Sequence, residues 1–344
     1  MIGALVPLTG PAAALGEYAR NGMGLAVSEI NAAGGVAGRP LRVIYEDSQS
    51  TTEGGVPAYQ KLTRADHVPA SLAILNAVVV PAASLANRES SVLINCGAQD
   101  ARIRKEGGAF VFNVVPDAIL EAQSMASFAF TELKITTAAT LHLENDPGAA
   151  AGAAFANAFT ALGGRIVADV EIDKNKDDTA AAIGRLKLAS PPAVFVTAPA
   201  RALVPVLQQA AALGLRPRWL TDASFELEGV IKTAGPAADG VIYTAQRPLD
   251  VSSPSSLQFL AAYRARFGFD PELAAATFYD GVYALKGAID AAGGTTGGDI
   301  ARGLRMLARE GVTGRIDFTQ SAWLMRPLEF RTVRGGRVER VPQK

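Results

Sequence analysis

One pattern constrains this chain more than any other. Short, nearly continuous aliphatic runs alternate with longer stretches whose apolar residues fall at steps of three and four. The runs predict strands at residues 2–6, 41–46, 71–75, 92–95, 138–143, 165–170, 193–197, 218–220 and 240–244. A strand that is apolar at every position is buried on both faces. That is the mark of a parallel sheet covered by helices on each side, not of a half-solvated antiparallel sheet. Between the strands lie predicted helices. One carries Tyr18, Gly22, Met23, Ala26, Val27 and Ile30 and stops at Ala33-Gly34-Gly35, a good helix end. Others span 149–162, 179–188, 201–213 and 255–267.

The alternation runs twice, over roughly 1–117 and 119–247. A helical stretch follows, then a late strand pair, 328–333 and 337–341, around Arg334-Gly335-Gly336. The expected fold class is α/β, with two doubly wound parallel-sheet lobes. A length of 344 residues suits two domains, and nearly half of them are apolar, enough for a large core in each. In such sheets ligands sit at the carboxyl ends of the strands.

The chemistry that could occupy those ends is sparse. The first strand-to-helix turn, from Pro7-Leu8-Thr9-Gly10-Pro11 to Gly16, is not a phosphate loop, and its prolines remove amide donors a pyrophosphate needs. No Walker loop, HExxH or GxSxG is present. His67 and His142 follow or sit in apolar segments and are read as structural. Cys96 ends a buried strand and is read as inert; as the single cysteine it allows no intramolecular disulfide. Neither a catalytic set nor a metal site is expected, and no cofactor.

Lys plus Arg and Asp plus Glu are 33 each, so no strong field favours a nucleic acid. The tail arginines, Arg331, Arg334, Arg337 and Arg340, are read as a solvated edge. No run of 18 apolar residues exists to span a membrane. Met1 leads at once into the first strand, as in an exported protein after its leader is removed.

Several stretches resemble the branched-chain amino-acid-binding family, the type I periplasmic binding proteins that feed ABC importers. They are Pro7-Leu8-Thr9-Gly10-Pro11 with Gly16, the run from Ala26 through Gly34-Gly35 to Leu41, and Glu46-Asp47-Ser48. Ala212-Leu213-Gly214-Leu215, Phe278-Tyr279-Asp280-Gly281 and Gly314-Arg315-Ile316-Asp317-Phe318 continue the match in order. The resemblance implies lobe one at 1–117 plus 248–324 and lobe two at 118–247 plus 325–344. It implies three crossover strands, near 114–116, 243–247 and 322–326, and hinge closure over a ligand. It also implies a small-molecule ligand, a membrane permease as partner, a periplasmic location and a monomer. An enzyme or a ligand-sensing regulator on the same scaffold are the alternatives.

In amino-acid-binding members the ligand carboxylate is held by amides and hydroxyls of two lobe-one loops. The matching positions are Asn76-Ala77-Val78 and Gly97-Ala98-Gln99. The hydroxyls are replaced, but the side-chain amides of Asn76 and Gln99 and the backbone amides of Ala77, Gly97 and Gln99 can still donate to an anion. Alternatively, Asn76 and Gln99 are ordinary loop polars. Family members place an ammonium-binding carboxylate where this chain has Ala223. Asp222 stands beside it and would take that role if the register slipped by one. The pocket positions Leu15, Gly148 (near the Glu144–Pro147 loop) and Pro199 are aliphatic or small where aromatic residues are frequent, and Asn145 in that loop is a further ligand-binding position. An apolar pocket with a carboxylate anchor and no ammonium partner suits a branched 2-oxo acid or an aromatic acid; the alternative is an aliphatic amino acid.

Overall fold

The computed structural model describes residues 1–143, 147–172, 179–198, 200–226, 229–245, 253–324 and 328–342. The chain divides into two units. Unit one is Met1–Asp117 with Arg247–Arg326; unit two is Ala118–Gln246 with Pro327–Lys344, so the chain passes between them three times.

Unit one begins with β1 (Ile2–Val6), α1 (Ala13–Ala32), β2 (Val43–Asp47), α2 (Thr52–Gln60), β3 (Ala70–Ala73), α3 (Asn76–Glu89), β4 (Val92–Asn95), α4 (Arg102–Gly107) and β5 (Val111–Asn113). The strands form a wholly parallel sheet in the order β2-β1-β3-β4-β5. The pleat explains their unbroken apolar sequence. Ile2, Ala4, Val6, Leu72, Ile94 and Phe112 pack into one core with α1. Leu5, Ala73, Leu93 and Val111 point the other way, into a second core with Tyr59, Val79, Ala83 and Ile103 from α2, α3 and α4. Each such side chain contributes about 1.5–3 kcal/mol, so a one-residue slip would be penalised on both faces at once.

Several boundaries differ from expectation by one or two residues, and two of the shifts have a clear local reason. The second strand starts at Val43 rather than at residue 41, because the Asn31 side chain takes both backbone groups of Leu41 (2.7 and 3.0 Å). The third ends at Ala73 because Leu75 turns the chain with φ 78°. The short strand β5 was not expected at all.

Unit two continues with α5 (Ala118–Thr131), β6 (Thr137–Leu143), α6 (Pro147–Ala161), β7 (Arg165–Ile172), α7 (Ala180–Ala189), β8 (Ala193–Thr197), α8 (Ala200–Ala212), β9 (Arg218–Thr221), α9 (Val230–Ala234) and β10 (Ile242–Ala245). Again the strands serve two cores. Leu141, Val194, Val196, Trp219 and Tyr243 face one side. Ala138, Phe195, Leu220 and Ile242 face α5 and α6 on the other, where Phe155 stacks on Phe195 at 4.6 Å.

The chain then returns to unit one through α10 (Pro254–Phe267), α11 (Leu273–Ala292), α12 (Gly297–Leu304) and the hairpin β11 (Ala308–Gly311) with β12 (Gly314–Asp317). It ends in unit two with β13 (Glu329–Arg334) and β14 (Arg337–Arg340). These two extend the parallel strands antiparallel, giving the order β14-β13-β10-β9-β8-β6-β7. Gly335 and Gly336, both at positive φ, make the two-residue turn the sequence led us to expect. Among the described residues no helix is long and apolar enough to cross a membrane.

The tail arginines require a correction. Arg331 is 3% exposed and lies on the same pleat face as Val333, with Glu329 at 3.1 Å and Glu226 at 3.5 Å. Only Arg334, Arg337 and Arg340 form the solvated edge. A strand that alternates in and out buries one member of an evenly spaced series when a carboxylate waits for it.

Helix α1 crosses α11 so closely that a Cβ on Gly22 would lie 2.0 Å from the Ala275 carbonyl oxygen. Gly24, on the same helix, has nothing within 4 Å of that position. Gly22→Ala is therefore expected to destabilise by about 1–3 kcal/mol through overpacking. Gly24→Ala should stabilise by about 0.5–1 kcal/mol through helix propensity. Urea unfolding of the two variants side by side checks the pair; equal effects would rule out the close approach as the cause.

Candidate functional site

In unit one the carboxyl ends of β1, β3 and β4 carry the predicted residues. Asp47, at the end of β2, holds the first loop in place. It accepts the amides of Leu8 (2.9 Å), Thr9 (3.2 Å) and Gln49 (2.8 Å), and the Thr9 hydroxyl (2.6 Å). Partial burial works against its charge. The Thr9 hydroxyl and the Gln49, Thr9 and Leu8 amides outweigh burial and lower the carboxyl below its ordinary value. Leu15 follows in the first turns of α1, half-buried against the core.

After β3, Leu75 adopts φ 78° and ψ 134°, a region L residues rarely occupy. The turn delivers Asn76 to the N-terminus of α3, exposed, with its Oδ1 accepting the amides of Gln99 (2.9 Å) and Asp100 (3.1 Å). Two bonds to one oxygen fix the side-chain orientation and turn its NH₂ away from them. Ala77 is exposed beside it, and its carbonyl accepts the Thr52 hydroxyl (2.7 Å).

After β4, the loop Gly97-Ala98-Gln99 is held from within. Asn95 Oδ1 accepts the amides of Gly97 (3.1 Å) and Ala98 (2.8 Å). The amides of Gly97 and Gln99, expected to be open to an anion, are thus already taken by Asn95 and Asn76. The start of α4 is taken as well. Asp100, 2% exposed, accepts the Arg102 amide (2.9 Å) and its guanidinium (2.6 Å). Of these two loops, the first turn of α3 is the one left open to an anion. There the leading amides, Asn76 and Ala77, have no partner inside the helix.

In unit two, Asp222 and Ala223 follow β9, 7% and 4% exposed. The Asp222 carboxylate accepts the Ser224 amide (2.9 Å) and hydroxyl. Burial pushes this carboxyl up, against the lowering pull of Ser224 and Thr197. Asp222 is therefore the cap of the short turn Ala223–Glu226. Sequence reasoning missed Glu121, on α5 and 1% exposed, whose Oε2 accepts the Ala223 amide (2.9 Å) and the Thr244 hydroxyl (2.6 Å). Its only signal was an acid on the buried face of an otherwise apolar helix. Asn145 and Pro199 lie outside the described residues; Gly148 is buried in the first turn of α6.

Of the remaining candidates, His142 and Cys96 stand at or beside strand ends but are buried. His142 is buried, with Nδ1 3.1 Å from the Leu143 carbonyl and Nε2 3.2 Å from Asp169. His67 is exposed, at φ 51°. Burial, with the nearby Asp280 charge, pushes the Cys96 thiol well up, which suits a packed hydrophobe and not a nucleophile. Among the described residues no group of three or more His, Cys, Asp or Glu is placed to hold a metal.

A family model described as periplasmic binding protein matches residues 1–337. The Leu/Ile/Val-binding protein homolog 1 of Brucella suis is 24% identical over 306 residues, 89% of this chain and 82% of its own. Two solved structures share the fold. The branched-chain amino acid transporter substrate binding protein of Streptococcus pneumoniae, in complex with isoleucine, has a TM-score of 0.85 at 24% identity, over 98% of this chain and 97% of its own. A solute binding protein of an ABC transporter from Rhodopseudomonas palustris, in complex with 3,4-dihydroxybenzoic acid, has a TM-score of 0.80 at 25% identity, over 97% and 92%.

Proposed function

Because the chain belongs to the periplasmic binding protein family, we propose that it is the extracytoplasmic binding component of an ABC importer, for a small hydrophobic carboxylate that lacks an ammonium group. Members of the family bind small molecules and hand them to a membrane permease; this chain has their type I α/β fold. A branched 2-oxo acid or an aromatic acid is the ligand class.

One observation carries the choice. Ala223 offers a methyl where the family resemblance leads one to expect an acid, and its neighbour Asp222 is committed to Ser224 and Thr197. An ammonium buried there without a partner would cost several kcal/mol, most of the ~8 kcal/mol of a micromolar complex. The carboxylate end is supplied by the Asn76 and Ala77 amides and the Asn76 NH₂, at the positive end of a helix dipole. The complex of the Rhodopseudomonas palustris protein with an aromatic acid supports the same class. The amino-acid reading has one observation on its side, the buried Glu121 against the Ala223 amide.

Two measurements test the binder reading. Benzoate or 4-methyl-2-oxopentanoate held with the protein for days should be recovered unchanged; turnover would make it an enzyme. Small-angle scattering should give a smaller radius of gyration with ligand than without, since a binder needs only a higher affinity for its closed state. An unchanged radius at saturation would rule out hinge closure.

A further inference from the structure

Two buried asparagines in unit one form a ladder that neither the family reading nor the ligand positions explain. Asn95 ends β4 and Asn113 ends β5, 1% and 0% exposed. Asn95 Oδ1 holds the Gly97 and Ala98 amides, while its Nδ2 donates to the Ala98 carbonyl (2.6 Å) and to Asn113 Oδ1 (2.7 Å). Asn113 in turn donates its backbone N–H (2.9 Å) and its Nδ2 (3.4 Å) to the Ala322 carbonyl, and bridges Trp323 in parallel register.

The far end of the ladder is where the chain leaves the unit. Asn113 precedes the passage after Asp117, and Trp323 precedes the passage after Arg326. Arg104 fastens both: its guanidinium binds the buried Asp117 carboxylate and lies 4.6 Å from the Trp323 ring centroid. A side-chain amide with one acceptor and two donors transmits orientation, because rotating it breaks every bond at once.

We propose that Asn113, acting through Asn95, is the positioning residue that sets the 97–98 loop and ties it to the two segments by which the chain leaves unit one. The proposal rests on the reading that this loop borders the ligand. It makes ligand contact and hinge geometry two ends of one hydrogen-bonded network.

Amide hydrogen exchange tests it without any ligand. In Asn113→Ala, protection of Gly97 and Ala98 should fall about fivefold to tenfold, while amides of β1 keep wild-type protection. Unchanged protection at 97–98, or an equal fall in β1, would overturn the proposal. Should the alanine variant not fold, Asn113→Asp carries the test. In mildly acidic buffer a buried carboxyl is protonated and isosteric with the amide, accepting from Asn95 and donating to the Ala322 carbonyl, so protection at 97–98 should be restored there. At neutral pH the carboxylate has no donor for Ala322 and repels that carbonyl, which displaces the side chain from Asn95, so protection should fall. Insensitivity of those amides to pH beyond their intrinsic rates would count against the ladder. Benzoate titration adds the functional arm, with affinity falling in Asn113→Ala in step with lost protection. Lost protection with unchanged benzoate affinity would break the link to the ligand. A wild type that binds neither benzoate nor 4-methyl-2-oxopentanoate would overturn the ligand reading instead, and the exchange data would still decide the positioning role.

Discussion

Benzoate and 4-methyl-2-oxopentanoate should raise the melting temperature of the wild type, and leucine, isoleucine, valine and phenylalanine should not. A ligand at about 100 times its Kd adds roughly 2.7 kcal/mol to the folded state, readily visible as a shift. On the proposed reading, an amino acid would present the same carboxylate to Asn76 and Ala77 but would have no partner for its ammonium at Ala223. Asn76→Ala should weaken binding of the acids by about 1–3 kcal/mol. It removes one donor and also releases the Gln99 and Asp100 amides that this side chain holds. Ala223→Glu should reverse the preference by repelling the oxo acid and pairing the ammonium. The new carboxylate would stand beside buried Glu121 and Asp222, so the unliganded variant should melt lower, and ligand-induced shifts are the quantity to compare. Leucine stabilising the wild type as strongly as its oxo acid would defeat the proposal. It would point to Glu121, and Glu121→Gln would then abolish the leucine shift.

What could be read in advance follows the physics of each element. The parallel sheets were legible because burial on two faces demands continuous aliphatic strands, and Ile2–Val6, Val92–Asn95 and Ala193–Thr197 lie where the pattern put them. Elements held by side-chain partners were not legible. Leu41 reads as strand until Asn31 claims its backbone. The strands β11 and β12 are short and charged, with no apolar rhythm.

The candidate site shows the same division. Family spacing led to the loops that contain Asn76 and Ala98. It could not show that Asn95 and Asn76 already occupy the amides of those loops: Asn76 reaches Gln99 across 23 residues, and a strand-end Asn95 gives no sign that its side chain turns forward onto Gly97 and Ala98. Arg331 and Glu121 were obscure for the opposite reason. A charged residue in a strand or helix reads as surface unless its buried partner is known, and the partners are Glu329 and Glu226 for one, Ala223 and Thr244 for the other.

Asp280→Ala is expected to have the largest effect on stability, about 3–5 kcal/mol, the range for leaving the partners of a buried charge uncompensated. Asp280 lies in α11 and is fully buried. Its carboxylate accepts the amides of Val312 and Thr313 (both 2.8 Å) and the Thr313 hydroxyl (2.6 Å), with Arg309 at 3.6 Å. Those donors form the turn between β11 and β12, so this one side chain fixes the hairpin to the unit. Burial pushes the carboxyl up, against the lowering pull of Thr313, Val312 and Arg309. The folded state therefore holds the proton more tightly than the unfolded chain. The contribution of Asp280 to stability is fullest below the ordinary carboxylate range and declines as pH rises through the raised value. Removing the side chain is still costly at neutral pH, because the two amides, the hydroxyl and Arg309 lose their acceptor together. Thr313→Val, which deletes one donor and leaves the carboxylate three partners, should cost only about 1 kcal/mol. Urea unfolding of both variants gives the comparison. An Asp280→Ala protein as stable as Thr313→Val would mean that the hairpin is held by its own strand pairing and not by the carboxylate.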